Sequence, residues 1–137
     1  MTHAVIDTNI LVSALLSGKT NSAAAVILDK MLAGDITVVY CDGILSEYRE
    51  VLYREKFHFS RAAVDTLLAF VADYGHRVAP LTSGVVLPDA DDQPFYDAAF
   101  SSRDRNAWLV TCNIKHFPRE AHIVTPWDFL SAIRQGG

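Results

Sequence analysis

Short apolar runs alternate with longer stretches of helical period along almost the whole sequence, and that alternation constrains the fold more than any other feature. Residues 3–6, 36–40, 77–79, 107–111 and 122–124 have strand length and are mostly apolar. Between them, apolar residues recur every third or fourth position. Ile10, Leu11, Ala14 and Leu15 form one such set, followed by a stretch capped at Asn21 or Ser22 that reaches about Leu32. Ile44, Leu45, Tyr48, Val51 and Leu52 form the next, and Val64, Leu67, Leu68 and Val71 follow Ser60, which is placed to cap them. Helices are also expected over 93–102 and from Pro126 through Ile133, with 81–91 as the longest irregular segment. Strands alternating with helices pair in parallel, and a parallel sheet has both faces covered, so the expectation is an α/β layer fold.

Composition agrees with a single folded unit. The 137 residues are 50% hydrophobic and 20% charged, enough apolar material for a core, and no repeat or linker divides them, so 1–137 reads as a single domain. No apolar run approaches the ~18 residues of a membrane span, and no basic-then-apolar leader opens the chain, so a cytoplasmic protein with no membrane attachment is expected. Two cysteines, Cys41 and Cys112, are too few for a disulfide framework or a zinc cluster and read as reduced thiols packed in the core. A net charge of −4 argues against holding nucleic acid by bulk positive charge. A polyphosphate partner would need cations from elsewhere.

The acids are not spread evenly. In parallel α/β sheets, ligands bind at the carboxyl ends of the strands, and Asp7 follows the first strand directly. Asp7-Thr8-Asn9 is also a good helix-capping sequence, so capping and site chemistry both remain open for it. Glu47 lies at the edge of an apolar helical stripe, on a helix that leaves the carboxyl end of the second strand; a salt-bridged surface glutamate is the alternative. Asp89, Asp91, Asp92 and Asp97 crowd into nine positions where like charges repel. Of these, Asp92 stands just before a helix and faces the core side, as a cap, a ligand or both, whereas Asp97 projects away from the Phe95, Ala99 and Phe100 stripe. Asn113 follows the fourth strand and reads either as an amide ligand or as a turn residue with positive φ. Three oxygen acids without paired histidines or thiols suit Mg²⁺ or Mn²⁺ rather than zinc. Such an ion activates water and neutralises the developing charge of a phosphodiester, so metal-dependent hydrolysis of a phosphate ester is the expected chemistry.

The sequence resembles the PIN domain family. The resemblance rests on Val5-Ile6-Asp7-Thr8-Asn9-Ile10-Leu11, Leu45-Ser46-Glu47-Tyr48, Asp89-Ala90-Asp91-Asp92-Gln93-Pro94-Phe95 and Leu109-Val110-Thr111-Cys112-Asn113, in order over nearly the whole chain. It implies a three-layer αβα sandwich with a central parallel sheet of about five strands. It also implies a Mg²⁺- or Mn²⁺-dependent endoribonuclease that hydrolyses RNA with metal-activated water, of the kind that serves as the toxin of a toxin–antitoxin pair. An antitoxin partner and a homodimer follow from the same resemblance. Asp7, Glu47 and Asp92 take the acidic metal places, with Asn113 as a fourth catalytic position. Thr8, Asn9, Asp97, Thr111, Lys115 and His116 are the neighbours expected to support the site or touch substrate. Most members carry aspartate where this chain has Asn113, and Asn113-Ile114-Lys115-His116-Phe117-Pro118 resembles a subgroup with asparagine there.

Three other readings compete. A catalytically inactive PIN-like module would bind RNA or protein without cleaving. A phosphatase would use Asp7 as nucleophile, but such enzymes want a second aspartate two residues on, where Asn9 stands. Ser17-Gly18-Lys19-Thr20 resembles a phosphate-loop fragment but lacks the upstream glycine and the preceding strand.

Overall fold

In the computed structural model, which describes residues 1–17 and 22–136, β1 (Thr2–Ile6) forms the centre of a parallel sheet. The other strands are β2 (Ile36–Tyr40), β3 (His76–Arg77), β4 (Trp108–Val110) and β5 (Ile123–Val124), in the order β3-β2-β1-β4-β5. Ala4 is aligned with Val38 on one side and Trp108 on the other. Ala4, Val5 and Ile6 are all buried, as are Val38, Val39 and Tyr40. Consecutive burial, without alternation, is what a parallel strand covered on both faces requires.

Six helices flank the sheet: α1 (Thr8–Ser17), α2 (Ala23–Leu32), α3 (Asp42–Leu52), α4 (Arg61–Tyr74), α5 (Gln93–Ser101) and α6 (Pro126–Gly136). The architecture is the expected α/β sandwich of three layers. α5 packs across β1, β2 and β4, while α2 and α4 pack on β2 and α6 on β4. The helix ends follow from local chemistry. Ser22 accepts from the Ala25 N–H and Ser60 from the Ala63 N–H, each satisfying an otherwise orphan donor of its first turn. Asn21, the other expected cap, lies outside the described residues, as do 18–20 of the phosphate-loop-like fragment. Gly34, at φ +85°, reverses the chain after α2, a conformation that costs other residues dearly. Among the described residues no helix is long and apolar enough to cross a membrane.

Boundaries differ from the sequence reading at β3, expected over 77–79 and found over His76–Arg77. Its register is set by its neighbour: His76 pairs with Val39 and Arg77 with Tyr40, and Val78 makes one more bond to the Tyr40 carbonyl where β2 ends. Cys112 is a second correction. Cys41 is buried as expected, but Cys112 is exposed because β4 ends at Val110 and the chain has already left the sheet.

This strand order positions the site. The chain runs outward from β1 to β2 and β3, then returns across the sheet to β4 on the other side of β1. Connections therefore diverge at the carboxyl end of β1, the place where open parallel sheets present a crevice.

Candidate active site

Asp7 emerges at that crevice. Its backbone N–H still donates to the Val110 carbonyl of β4, so the residue is held in the sheet's hydrogen-bond ladder while its side chain passes the edge. The residue is 6% exposed. Its Oδ2 accepts from the Thr111 hydroxyl at 2.7 Å, and the Thr8 backbone N–H also favours its charged form. Burial outweighs these donors and pushes the Asp7 carboxyl above its ordinary value.

Glu47 arrives from the second turn of α3. The Thr8 hydroxyl donates to its Oε2 at 2.6 Å, joining α3 to the start of α1. One residue further on, the buried Tyr48 hydroxyl donates to the carbonyl of Ile6, the last residue of β1. Together these two bonds pin α3 across the sheet edge. Glu47 is also raised, first by burial and then by the charges of Asp7, Asp91 and Asp92, against the opposing Thr8 bond.

Asp92 closes the arrangement from a 3₁₀ turn (Ala90–Asp92) that leads into α5. It occupies the capping position of α5, yet its side chain makes no capping bond. Burial raises its carboxyl, followed by the charges of Asp7 and Asp89, with His116 opposing. His116 Nδ1 lies 3.3 Å from Asp92 Oδ2, within ion-pair range but without hydrogen-bond alignment. That oxygen is buried and has no hydrogen-bond donor. An acceptor left in this state is costly unless something outside the protein satisfies it.

The remaining candidates divide. Asn113 is half-buried, and its backbone N–H donates to the Thr111 hydroxyl oxygen at 3.0 Å, extending the Asp7–Thr111 contact by one link. Its φ is −107°, which corrects the expectation of a positive-φ turn. Asn9 is exposed on the first turn of α1. Asp97 turns to the irregular segment, where its Oδ1 accepts from Ser83 Oγ at 2.8 Å and Gln93 Nε2 at 3.0 Å. Lys115 is exposed on a 3₁₀ turn (Ile114–His116) beside His116. The structure thus brings Asp7, Glu47, Asp92, Thr8, Thr111 and His116 into one network and leaves Asp97 to another. Tyr48 was seen in the sequence only as part of an apolar stripe; its position opposite the end of a buried strand is what gives its hydroxyl a partner.

The donor set is all oxygen, three carboxylates with an amide nearby, the chemistry that Mg²⁺ and Mn²⁺ prefer. Among the described residues no group of three or more His, Cys, Asp or Glu side chains is arranged so that it could hold a metal ion as it stands. The fit therefore rests on the donor chemistry and on the orphaned Asp92 Oδ2, and both favour a hard divalent cation. Neighbouring carboxylates raise two of the three acids, Asp7 acting on both Glu47 and Asp92, and Asp92 on Glu47. A cation placed among them reverses that penalty.

Comparison with known proteins supplies a frame for this geometry. A family model described as PIN domain matches residues 3–115. No curated protein matches the sequence. A chain in the crystal structure of VapBC2 from Rickettsia felis bound to a DNA fragment from their promoter is similar in fold, with a TM-score of 0.52 at 19% identity. The match covers 90% of this chain and 97% of that one.

Proposed function

This chain belongs to the PIN domain family, and from that premise we propose that it is a divalent-metal-dependent endoribonuclease of the toxin type. Asp7, Glu47 and Asp92 hold the cation, Mg²⁺ or Mn²⁺. A divalent ion held by these residues would supply water activation and charge neutralisation at the phosphodiester. The protein's own residues prepare the place. Thr111 and Thr8 donate to Asp7 and Glu47 and so fix which oxygens remain free to face the cleft. Asn113 orients water or substrate with its amide and adds no charge. His116 steadies the Asp92 carboxylate and stands where a substrate phosphate would approach.

One observation carries this reading: the buried Asp92 oxygen without a donor, in a cluster of acids that all resist ionisation. Family membership favours nuclease over phosphatase chemistry, and Asn9 offers no second carboxylate for the latter. A protein antitoxin as partner, self-association and a cytoplasmic setting belong to the same reading, and the likeness in fold to a chain of the VapBC2 structure supports the first of these.

The test is cleavage of single-stranded RNA with Mg²⁺, with Mn²⁺ and with EDTA, by the wild type and by Asp7→Asn and Asp92→Asn. Cleavage restored by either ion and absent with EDTA and in both variants is the expected result. Cleavage indifferent to EDTA and to both substitutions would sink the mechanism. Binding of RNA without cleavage in any metal would establish the inactive module instead.

A further inference from the structure

A cavity of about 490 Å³ opens beside the β4–β5 connection, lined chiefly by Ile114, Lys115, Phe117, Pro118, Arg119 and Glu120. We propose that it receives a nucleotide of single-stranded RNA adjacent to the bond being cut, an inference that rests on the ribonuclease reading above. Two observations locate it. His116 and Lys115 are neighbours on one 3₁₀ turn, and that turn has two sides. His116 faces Asp92 at 3.3 Å, while Lys115 lines the cavity. The turn is therefore a shared wall between the acid cluster and the cavity.

Charge gives the cavity its sign. Lys115 and Arg119 are exposed, and among the described residues neither has an acid within ion-pair distance. The one acid in the wall, Glu120, is already engaged. Its Oε2 accepts from the Tyr96 hydroxyl, and its Oε1 lies 3.6 Å from His122 Nε2. The wall therefore carries two cations against one carboxylate, and neither cation is paired with it. Ile114, Phe117 and Pro118 supply apolar surface beside them, and a nucleotide needs both: a flat apolar contact for its base and cations for its phosphate.

A cavity of about 340 Å³ also pairs a cation, Arg103, with an aromatic side chain, Trp108, but none of its lining residues belongs to the acid network. The one of about 570 Å³ between α2 and α4 is lined by Met31, Leu32, Phe70 and Tyr74 and holds no cation. The one of about 280 Å³ that holds Lys30 and Arg134 also holds Asp35, and none of its lining residues belongs to the acid network. At the β4–β5 connection, by contrast, a strand of RNA passes from a place where its charge must be met by an added ion to one where the protein meets it.

The experiment measures binding of a fluorescein-labelled single-stranded RNA oligonucleotide to the full chain by anisotropy over a range of salt, alongside cleavage. The Lys115→Ala/Arg119→Ala double variant is compared with Lys30→Ala/Arg134→Ala, which removes the same charge elsewhere. The cavity variant should bind about tenfold more weakly, and its salt slope should fall by about 1.4, since each of the two phosphate contacts to a single strand contributes about 0.7. The control pair should bind as the wild type does. Equal weakening by both pairs, or none by the cavity pair, overturns the pocket. Metal-dependent cleavage with no effect of the cavity pair would fail the pocket alone. Selective weakening of binding without cleavage in any metal would fail the ribonuclease reading and leave the pocket standing as an RNA site.

Discussion

Asp42 and Glu47 stand five residues apart on one helix at one edge of one sheet, and their electrostatics are opposite. Asp42 is exposed and meets Arg77 in a two-pronged contact, with Nε at 2.9 Å from Oδ1 and Nη2 at 2.7 Å from Oδ2. The hydrogen bond to Arg77, and then its charge, holds the Asp42 carboxyl below its ordinary value. Glu47 is half-buried, faces Asp7, Asp91 and Asp92, and is raised. The acid nearer the start of α3 is satisfied by the protein. Glu47, with Asp7 and Asp92, is not, because no arginine or lysine reaches the group among the described ion pairs. The fold brings Arg77 to one carboxylate and leaves three others without an arginine or lysine, which separates an acid paired within the protein from the acids of the proposed cation site.

The separation is broken most directly by removing charge on each side of it. Asp92→Asn should lower RNA cleavage by at least about 100-fold, because an ion held as proposed would supply several kcal/mol of transition-state stabilisation. Asp42→Asn, at the same edge, should leave the rate within about twofold, as surface charges away from the reacting centre commonly do. Initial rates at saturating Mg²⁺ decide it. Equal losses in the two variants would erase the distinction.

Stability offers the next largest contrast. An ion that binds the folded chain at 100 times its dissociation constant adds about 2.7 kcal/mol, so Mg²⁺ or Mn²⁺ should raise the melting temperature of the wild type, and Asp92→Asn should lose most of that rise. The pH dependence without metal has a definite sign. Asp7, Glu47 and Asp92 have folded-state values above their ordinary 3.8, 4.5 and 3.8, so the folded chain takes up protons before the unfolded chain does. The destabilisation they cause is present at neutral pH and is relieved as pH falls through the raised values. Asp42 acts the other way: its contribution is present above 3.8 and is lost as pH falls through its lowered value. Thermal melts in EDTA at stepped pH should show the apo protein gaining stability as pH falls from neutral through the raised values in the wild type, and gaining less in Asp7→Asn.

Much of this was legible in the sequence, and the reason is positional. Asp7 directly follows a buried strand, Glu47 breaks an apolar stripe, and Asp92 precedes a helix, so the strand–helix pattern that gives the sheet also places the acids at its carboxyl edge. What the pattern does not carry is pairing over distance. Nothing in the sequence says that Thr111 turns its hydroxyl to an aspartate 104 residues earlier, or that Thr8 donates to one oxygen of Glu47. Arg77 was read as part of a strand; its contact with Asp42 depends on β3 being in register with the end of β2. Cys112 was misplaced because strand length, which decides where burial ends, is set by neighbouring strands.

The Thr111 link supports a third prediction, smaller than the first two. Thr111 is fully buried and occupies the middle of a chain from the Asn113 N–H through its own hydroxyl to Asp7 Oδ2. Thr111→Val keeps the shape and removes both bonds. Residues that hold a ligand in place typically cost 10–100-fold in metal affinity or activity when replaced, so a loss of about tenfold is expected. It should come mainly as a higher Mg²⁺ requirement, with a stability loss of about 1–2 kcal/mol from the unpaired Asn113 N–H. A Mg²⁺ titration of cleavage rate checks it; an unchanged half-saturating concentration would mean that Thr111 does not position Asp7.

The smallest expected effect lies on the satisfied side. Arg77→Gln removes the guanidinium from Asp42, but both groups are fully exposed, and water replaces what the ion pair gave. The melting temperature at ordinary salt should barely move, and the cleavage rate and Mg²⁺ requirement should match the wild type. The carboxyl of Asp42 alone should respond, returning upward toward 3.8 as its partner leaves, a change that carbon-detected NMR titration of the side chain reads directly. If Arg77→Gln instead raised the Mg²⁺ requirement, the arginine's field would reach the acid cluster, and the two halves of α3 would be one electrostatic unit.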